Sequence, residues 1–199
     1  MTAERWNLTL IGFVLAAAFV WTQQSTIVCG PVSTDKGAVS GSPAGIGCSF
    51  KGIPYAQPPV GGLRLRPPIP HASWTGVLDA TRYGSRCPQL GANGIVAGSE
   101  DCLVLNVWAP PAAPGRLLPV MVWFHGGGHL SGNSMTGSGG LIPFDGQYYL
   151  QQHGVMVVTV EYRLNGLGYL AHPALDAESD RRVSGNYGFL DQVAALQWV

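Results

Sequence analysis

Two nearly continuous apolar runs, Leu118–Phe124 (LPVMVWF) and Val155–Tyr162 (VMVVTVEY), constrain this chain more than any other feature. Short β-branched and aromatic runs without a polar residue at every second position suit strands buried on both faces of a sheet. Between them, Asp145–His153 (DGQYYLQQH) reads as a short helix, with Asp145 as N-cap and Gly154 as stop. Strand, helix and strand in this order form a βαβ unit, whose strands should lie parallel with a right-handed crossover. The expected fold class is α/β with a mainly parallel central sheet. Ligands of such sheets sit beyond the carboxyl ends of the strands, which points to the loop after Phe124.

The flanking sequence adds edges to this unit. Leu103–Trp108 (LVLNVW) is a further strand. Earlier, KGAVSG and GIGCSFKGIPYA read as two short strands separated by SPA, an antiparallel hairpin at the domain edge. The proline-rich QPPVGGLRLRPPIP is expected to be extended and to wrap over the surface. Asn186–Val199 reads as a helix whose apolar face is Phe189, Leu190, Val193, Ala194 and Leu196.

With 199 residues, 46% of them hydrophobic and 11% charged, the chain is long and apolar enough for one domain with a real core. Its 11 basic and 11 acidic residues cancel, and no basic stripe is present, which argues against nucleic-acid binding. Leu8–Trp21 (LTLIGFVLAAAFVW) is an uncharged stretch of fourteen residues after Arg5. It is short for a membrane span and suits a signal-peptide core, although Glu4 weakens the leading segment. Residues 1–25 therefore read as a signal peptide, or else as a short uncleaved anchor, with 26–199 as the folded part. The expected location is secreted or extracytoplasmic, periplasm included.

Four cysteines in an exported chain suggest disulfides. Cys87 and Cys102 enclose fourteen residues, and closing that loop would stabilise by about 3 kcal/mol. Cys29 and Cys48 would form the second pair. Metal binding and lipidation of Cys29 are the alternatives, but no Cys-x-x-Cys or His-rich spacing supports a metal.

The chemistry lies in WFHGGGHLSGNS, Trp123–Ser134. Three consecutive glycines after a buried strand are costly to order. The benefit that offsets this is close approach of backbone N–H groups to a developing negative charge, each worth about 3 kcal/mol in a dry cleft. A P-loop would need Gly-Lys-Ser/Thr next, and a dinucleotide fingerprint would open directly into a helix; neither follows here. No cofactor or metal is expected. An HGGG-type loop after the third strand is the oxyanion-hole loop of α/β-hydrolases.

Several stretches together resemble one family: FKGIPYAQPPVGGLRLRPPIP, SEDCLVLNVWAP, PVMVWFHGGG, VTVEYRLNGLGYLAHP and GNYGFLDQVAALQWV. They cover nearly everything from about Gly37 to Val199. In that order they resemble the type-B carboxylesterase/lipase family, which includes the cholinesterases. The resemblance implies an α/β-hydrolase fold with an N-terminal antiparallel edge and hydrolysis of small-molecule carboxylic esters. It assigns Gly127 and Gly128 to the oxyanion hole, with Gly126 and His125 as supporting loop residues; a plain core histidine is the other reading of His125. It pairs Cys87 with Cys102, and it pairs Arg64 with Glu100 and Arg163 with Asp191 as structural salt bridges. Asp101 beside Glu100 is read as structural rather than as half of an acid/base pair. The Cys87–Cys102 loop lacks the aromatic residue that faces choline in cholinesterases, which argues against choline esters. His129 stands where an aromatic side chain is common, implying a more polar acyl pocket.

The family mechanism needs a serine on a G-x-S-x-G elbow, a histidine and an acid. No serine here has glycine at both flanking offsets, and His125, His129, His153 and His172 do not fill the gap. The chain therefore reads as an N-terminal portion that stops before the nucleophile elbow, inactive by itself, with apolar surface left open. Two other functions are weighed against an esterase. One is a non-catalytic, cholinesterase-like binding or adhesion module, and the other is a membrane-tethered structural protein.

Overall fold

The computed structural model describes residues 27–91, 93–110, 117–136 and 146–199. In chain order the elements are β1 (Val32–Thr34), β2 (Gly37–Ser40), β3 (Ser42–Ala44), β4 (Gly47–Pro54), β5 (Val77–Asp79), β6 (Gln89–Leu90), β7 (Val96–Ala97), β8 (Val104–Ala109), β9 (Val120–Phe124), α1 (Gly146–His153), β10 (Met156–Val160), α2 (Asn165–Tyr169), α3 (Pro173–Glu178) and α4 (Tyr187–Trp198). The signal-peptide or anchor segment and the Asp145 cap lie outside the described residues. Among the described residues, no helix is long and apolar enough to cross a membrane.

The main sheet has five strands in the order β3-β4-β8-β10-β9. The βαβ expectation holds: β9 and β10 are parallel, with α1 between them in sequence. The neighbours on the other side pair antiparallel, β10 with β8, β8 with β4 and β4 with β3. What is described is thus the antiparallel edge of the sheet joined to its first parallel pair. The core lies against its centre, where Leu105, Val157 and Val160 are fully buried. Burial is why the LVLNVW and VMVVTV runs must be apolar.

Three local readings are corrected. The segments KGAVSG and GIGCSFKGIPYA do not pair with each other. SPA is itself β3 and forms the hairpin with β4, while β2 joins a separate sheet with β1 and β5. Nonlocal pairing with β5 overrides the local hairpin signal. Second, the proline-rich stretch contains a single 3-10 turn, Gly61–Leu63, where two glycines permit it. Third, β9 is not buried on both faces. It is the edge strand among the described residues, half-exposed along most of its length.

The helix near the C-terminal end is present, but the apolar stripe expected to face the core faces outward. Phe189, Leu190, Val193 and Leu196 are exposed, whereas Tyr187, Gly188, Asp191 and Ala195 are buried. A buried ion pair sets the helix's rotation. Asp191 accepts from Arg163 Nε at 2.8 Å and from Nη2 at 2.7 Å, and it also takes the Arg163 amide at 3.1 Å. Leaving a charge of this kind unpaired in the interior would cost several kcal/mol.

Both disulfides are formed. Cys29–Cys48 ties the entry segment to β4, and Cys87–Cys102 closes the loop that carries the small β6–β7 ribbon.

Candidate active site

β9 and β10 run parallel in a register that sets Phe124 beside Val160. The residues that follow each strand, His125–Gly128 and Glu161–Arg163, therefore leave the sheet side by side at its carboxyl end. Every part of the site grows from this adjacency.

His125 is buried, and its ring stacks on Tyr162 with centroids 4.4 Å apart. The Tyr162 hydroxyl donates to the His125 carbonyl oxygen. His125 Nδ1 lies 3.0 Å from the Gly126 carbonyl oxygen, which can only accept, so Nδ1 carries the proton. Burial pushes the imidazole pKa down, opposed by that hydrogen bond, so the ring is neutral. Its Nε2 has no partner among the described residues. The plain core-histidine reading is thus only half met.

The loop then turns back on itself. Gly127 lies at φ +120°, and its carbonyl accepts the amides of Leu130 at 3.1 Å and Ser131 at 3.2 Å. A Cβ at Gly127 would overlap the Ser131 carbonyl oxygen. Gly132, at φ +122°, passes so close to His125 Nδ1 and the Gly126 oxygen that a side chain is excluded there too. Among the described residues, the amides of Gly127 and Gly128 donate to no protein acceptor. They are two free donors at the carboxyl end of a sheet.

The far end of the loop is clamped. Gln89 takes the Gly132 amide on Oε1 at 2.8 Å and donates from Nε2 to the Gly132 carbonyl at 2.7 Å. Gln89 Nε2 also donates to the Cys87 carbonyl at 3.1 Å, which couples the clamp to the Cys87–Cys102 disulfide. Asn106, buried in β8, donates to Ser134 Oγ at 3.0 Å and Thr159 Oγ1 at 2.9 Å.

Glu161 was not singled out in the sequence, where it appears as the one charge in an apolar run. Its Oε1 accepts the Ser134 amide at 2.6 Å, and its Oε2 lies 4.0 Å from His125 Nε2. Burial pushes its carboxyl up to about 7, against hydrogen bonds from Ser134 and Cys87 and the positive charge of Arg86.

The His129 ring stacks on Tyr169 at 4.6 Å and meets the edge of Phe189 at 5.0 Å, beside the open end of the glycine loop. Glu100 is held by Arg64 through Nε at 2.6 Å and Nη2 at 2.8 Å, an ion pair on the surface rather than half of an acid/base pair with Asp101. His172 caps α3 by accepting the Ala174 amide, and His153 ends α1. No cluster of histidine, cysteine and carboxylate side chains fit for a metal occurs among the described residues.

Solved structures share this architecture. A thermophilic p-nitrobenzyl esterase superposes with a TM-score of 0.70 at 44% identity, over 84% of this chain and 34% of its own. A carboxylesterase of Geobacillus stearothermophilus gives 0.73 at 40% identity, over 87% of this chain and 34% of its own. The fold is that of an α/β-hydrolase.

The model of the carboxylesterase family matches residues 26–199, and the chain belongs to that family. It is 43% identical over 199 aligned residues to a fumonisin B1 esterase of Sphingopyxis macrogoltabida, covering 92% of this chain and 36% of that protein. It is 44% identical over 174 residues to a para-nitrobenzyl esterase of Bacillus subtilis, covering 84% and 34%. The chain thus spans about a third of the length of these relatives.

Proposed function

We propose that the protein carrying this chain hydrolyses carboxylic esters by serine acyl transfer, with the amides of Gly127 and Gly128 as its oxyanion hole. The observation that carries this reading is that the Gly127 and Gly128 amides donate to no acceptor among the described residues, on a loop whose turn is closed by the Gly127 carbonyl and whose far end is clamped by Gln89. Donors fixed before the substrate arrives cost no reorganisation when the carbonyl oxygen turns negative, which is the condition for strong electrostatic stabilisation. His125 and Gly126 support the loop, and the three glycines leave the substrate carbonyl room to approach. No serine of this chain stands in a G-x-S-x-G elbow, so no nucleophile is assigned among these residues.

Esters are the substrates named for both relatives above. Two disulfides and the apolar leader support export to an oxidising compartment. The domain is taken as 26–199, following a signal peptide or short anchor at 1–25.

The test is p-nitrophenyl ester turnover by the intact protein, with and without a serine-directed phosphonate. The expected result is turnover that the phosphonate abolishes, and no turnover by residues 26–199 alone. A protein that neither turns over esters nor reacts with the phosphonate is a binding or adhesion module instead, and the proposal falls.

A further inference from the structure

The proposed reaction leaves one buried ionisable group unused. Glu161 and His125 are both buried side chains, 2% and 0% exposed, and their facing atoms, Oε2 and Nε2, lie 4.0 Å apart with no other partner among the described residues. Because His125 Nδ1 spends its proton on the Gly126 carbonyl, Nε2 of the neutral ring is a bare acceptor. An ionised Glu161 would set a second acceptor against it in a space closed to water, and two such acceptors repel. One proton turns the pair into donor and acceptor, and a slight turn of the carboxyl brings them within hydrogen-bond range.

We infer that Glu161 is a positioning residue held as the carboxylic acid, its proton on Oε2 directed at His125 Nε2, so that one side chain grips the glycine loop at both ends. Oε1 holds the Ser134 amide at the loop's far end, and Oε2 holds His125 at its start. The catalytic consequence rests on the reading of Gly127 and Gly128 given above. Around the pair stand Arg86, whose positive charge acts on Glu161, and His129, whose charge acts on His125. Tyr162 stacks on His125, and the Tyr55 hydroxyl donates to the Glu161 carbonyl at 2.7 Å. Burial of the Glu161 carboxyl is the largest influence among these and favours the protonated form up to a pH of about 7. Above that, the proton leaves, repulsion replaces the grip on His125, and the loop loosens.

The experiment compares wild type, Glu161→Gln and Glu161→Ala in the intact protein. Glutamine keeps an oxygen for the Ser134 amide and offers His125 a fixed N–H at every pH. The ratio of kcat/KM for a p-nitrophenyl ester, Glu161→Gln over wild type, should rise about tenfold between pH 6 and 8.5. The wild-type melting temperature should fall between about pH 4.5 and 7, where the folded carboxyl keeps a proton that the unfolded one has lost, while that of Glu161→Gln does not. Glu161→Ala should be impaired at every pH, since it offers the Ser134 amide no acceptor. Parallel pH profiles for wild type and Glu161→Gln, in melting or in kcat/KM, would overturn the assignment. If no variant hydrolyses any ester, the oxyanion reading fails, and the melting profiles still decide the role of Glu161. Should Glu161→Gln not fold, infrared difference spectra of wild type decide: a buried carboxylic acid must lose its proton between pH 6 and 8.5, and its absence refutes the inference.

Discussion

The sharpest perturbation of the glycine loop is Gly127→Ala, read against alanine at its two neighbours. At Gly127 the added Cβ would overlap the Ser131 carbonyl oxygen, and φ is +120°, a conformation alanine avoids. The Gly127 carbonyl also closes the turn by accepting Leu130 and Ser131, so relief of the clash must open that turn and move the amides of Gly127 and Gly128 with it. At Gly128 nothing lies within 4 Å of a Cβ, but φ is +61°, costing alanine about 1 kcal/mol. At Gly126 the space is open and φ is ordinary. Misplacing an oxyanion donor typically costs about 10²–10³ in kcat, roughly 3–4 kcal/mol. The expected order of kcat for p-nitrophenyl ester hydrolysis by the intact protein is therefore Gly126→Ala near wild type, Gly128→Ala lower by about tenfold and Gly127→Ala lower by about 10²–10³. KM should change little, and melting curves should show each variant folded. A folded Gly127→Ala enzyme with kcat within about threefold of wild type would refute the oxyanion assignment.

Asp191→Asn leaves the buried Arg163 guanidinium facing a neutral group, and urea unfolding should show a loss of about 3–5 kcal/mol; a loss under about 1 kcal/mol would mean that the pair does not anchor α4. Replacing both Cys87 and Cys102 by serine should cost about 3 kcal/mol for the loop they close, and should also lower kcat through the Gln89 clamp on Gly132. Unchanged kcat in the folded double variant would separate the disulfide from the site. For Glu161 the folded-state carboxyl sits near 7 against an ordinary 4.5, so its contribution is fully present at low pH and is lost as pH rises between these values. The loss amounts to about 3 kcal/mol, read as a fall in urea midpoint that Glu161→Gln abolishes.

The elements that could be read in the sequence are those whose signal is local. VMVVTV and LVLNVW are apolar because their strands are central, and the glycine loop follows β9 because only glycine fits at Gly127 and Gly132. The strand pairing of β2 was hidden because its partner β5 lies far along the chain, beyond the proline-rich stretch. The exposed face of α4 was misread for a different reason. A 3.6-residue period shows that two faces differ, but it does not show which of them carries the carboxylate that Arg163 binds in the interior. Glu161 was overlooked because it sits at the end of an apolar run, where periodicity has no place for a charge. A lone ionisable residue closing a buried strand was itself the signal.

That signal belongs to a larger arrangement. Glu161, Tyr162 and Arg163 follow β10 without a break, and each reaches a different part of the site. Glu161 holds the Ser134 amide, Tyr162 stacks on His125 and donates to its carbonyl, and Arg163 binds Asp191 of α4. Three consecutive residues leaving a rigid strand can do this because successive side chains there point in different directions, one toward each end of the glycine loop and one toward the helix. The parallel register of β9 and β10 sets this tripeptide beside His125, and the Tyr162 contacts hold it there. The loop thus takes its position from the sheet rather than from its own sequence, which frees its glycines to present bare amides. A loop of three glycines has no side chains with which to hold itself. Glu161, Tyr162 and Gln89 hold it from outside.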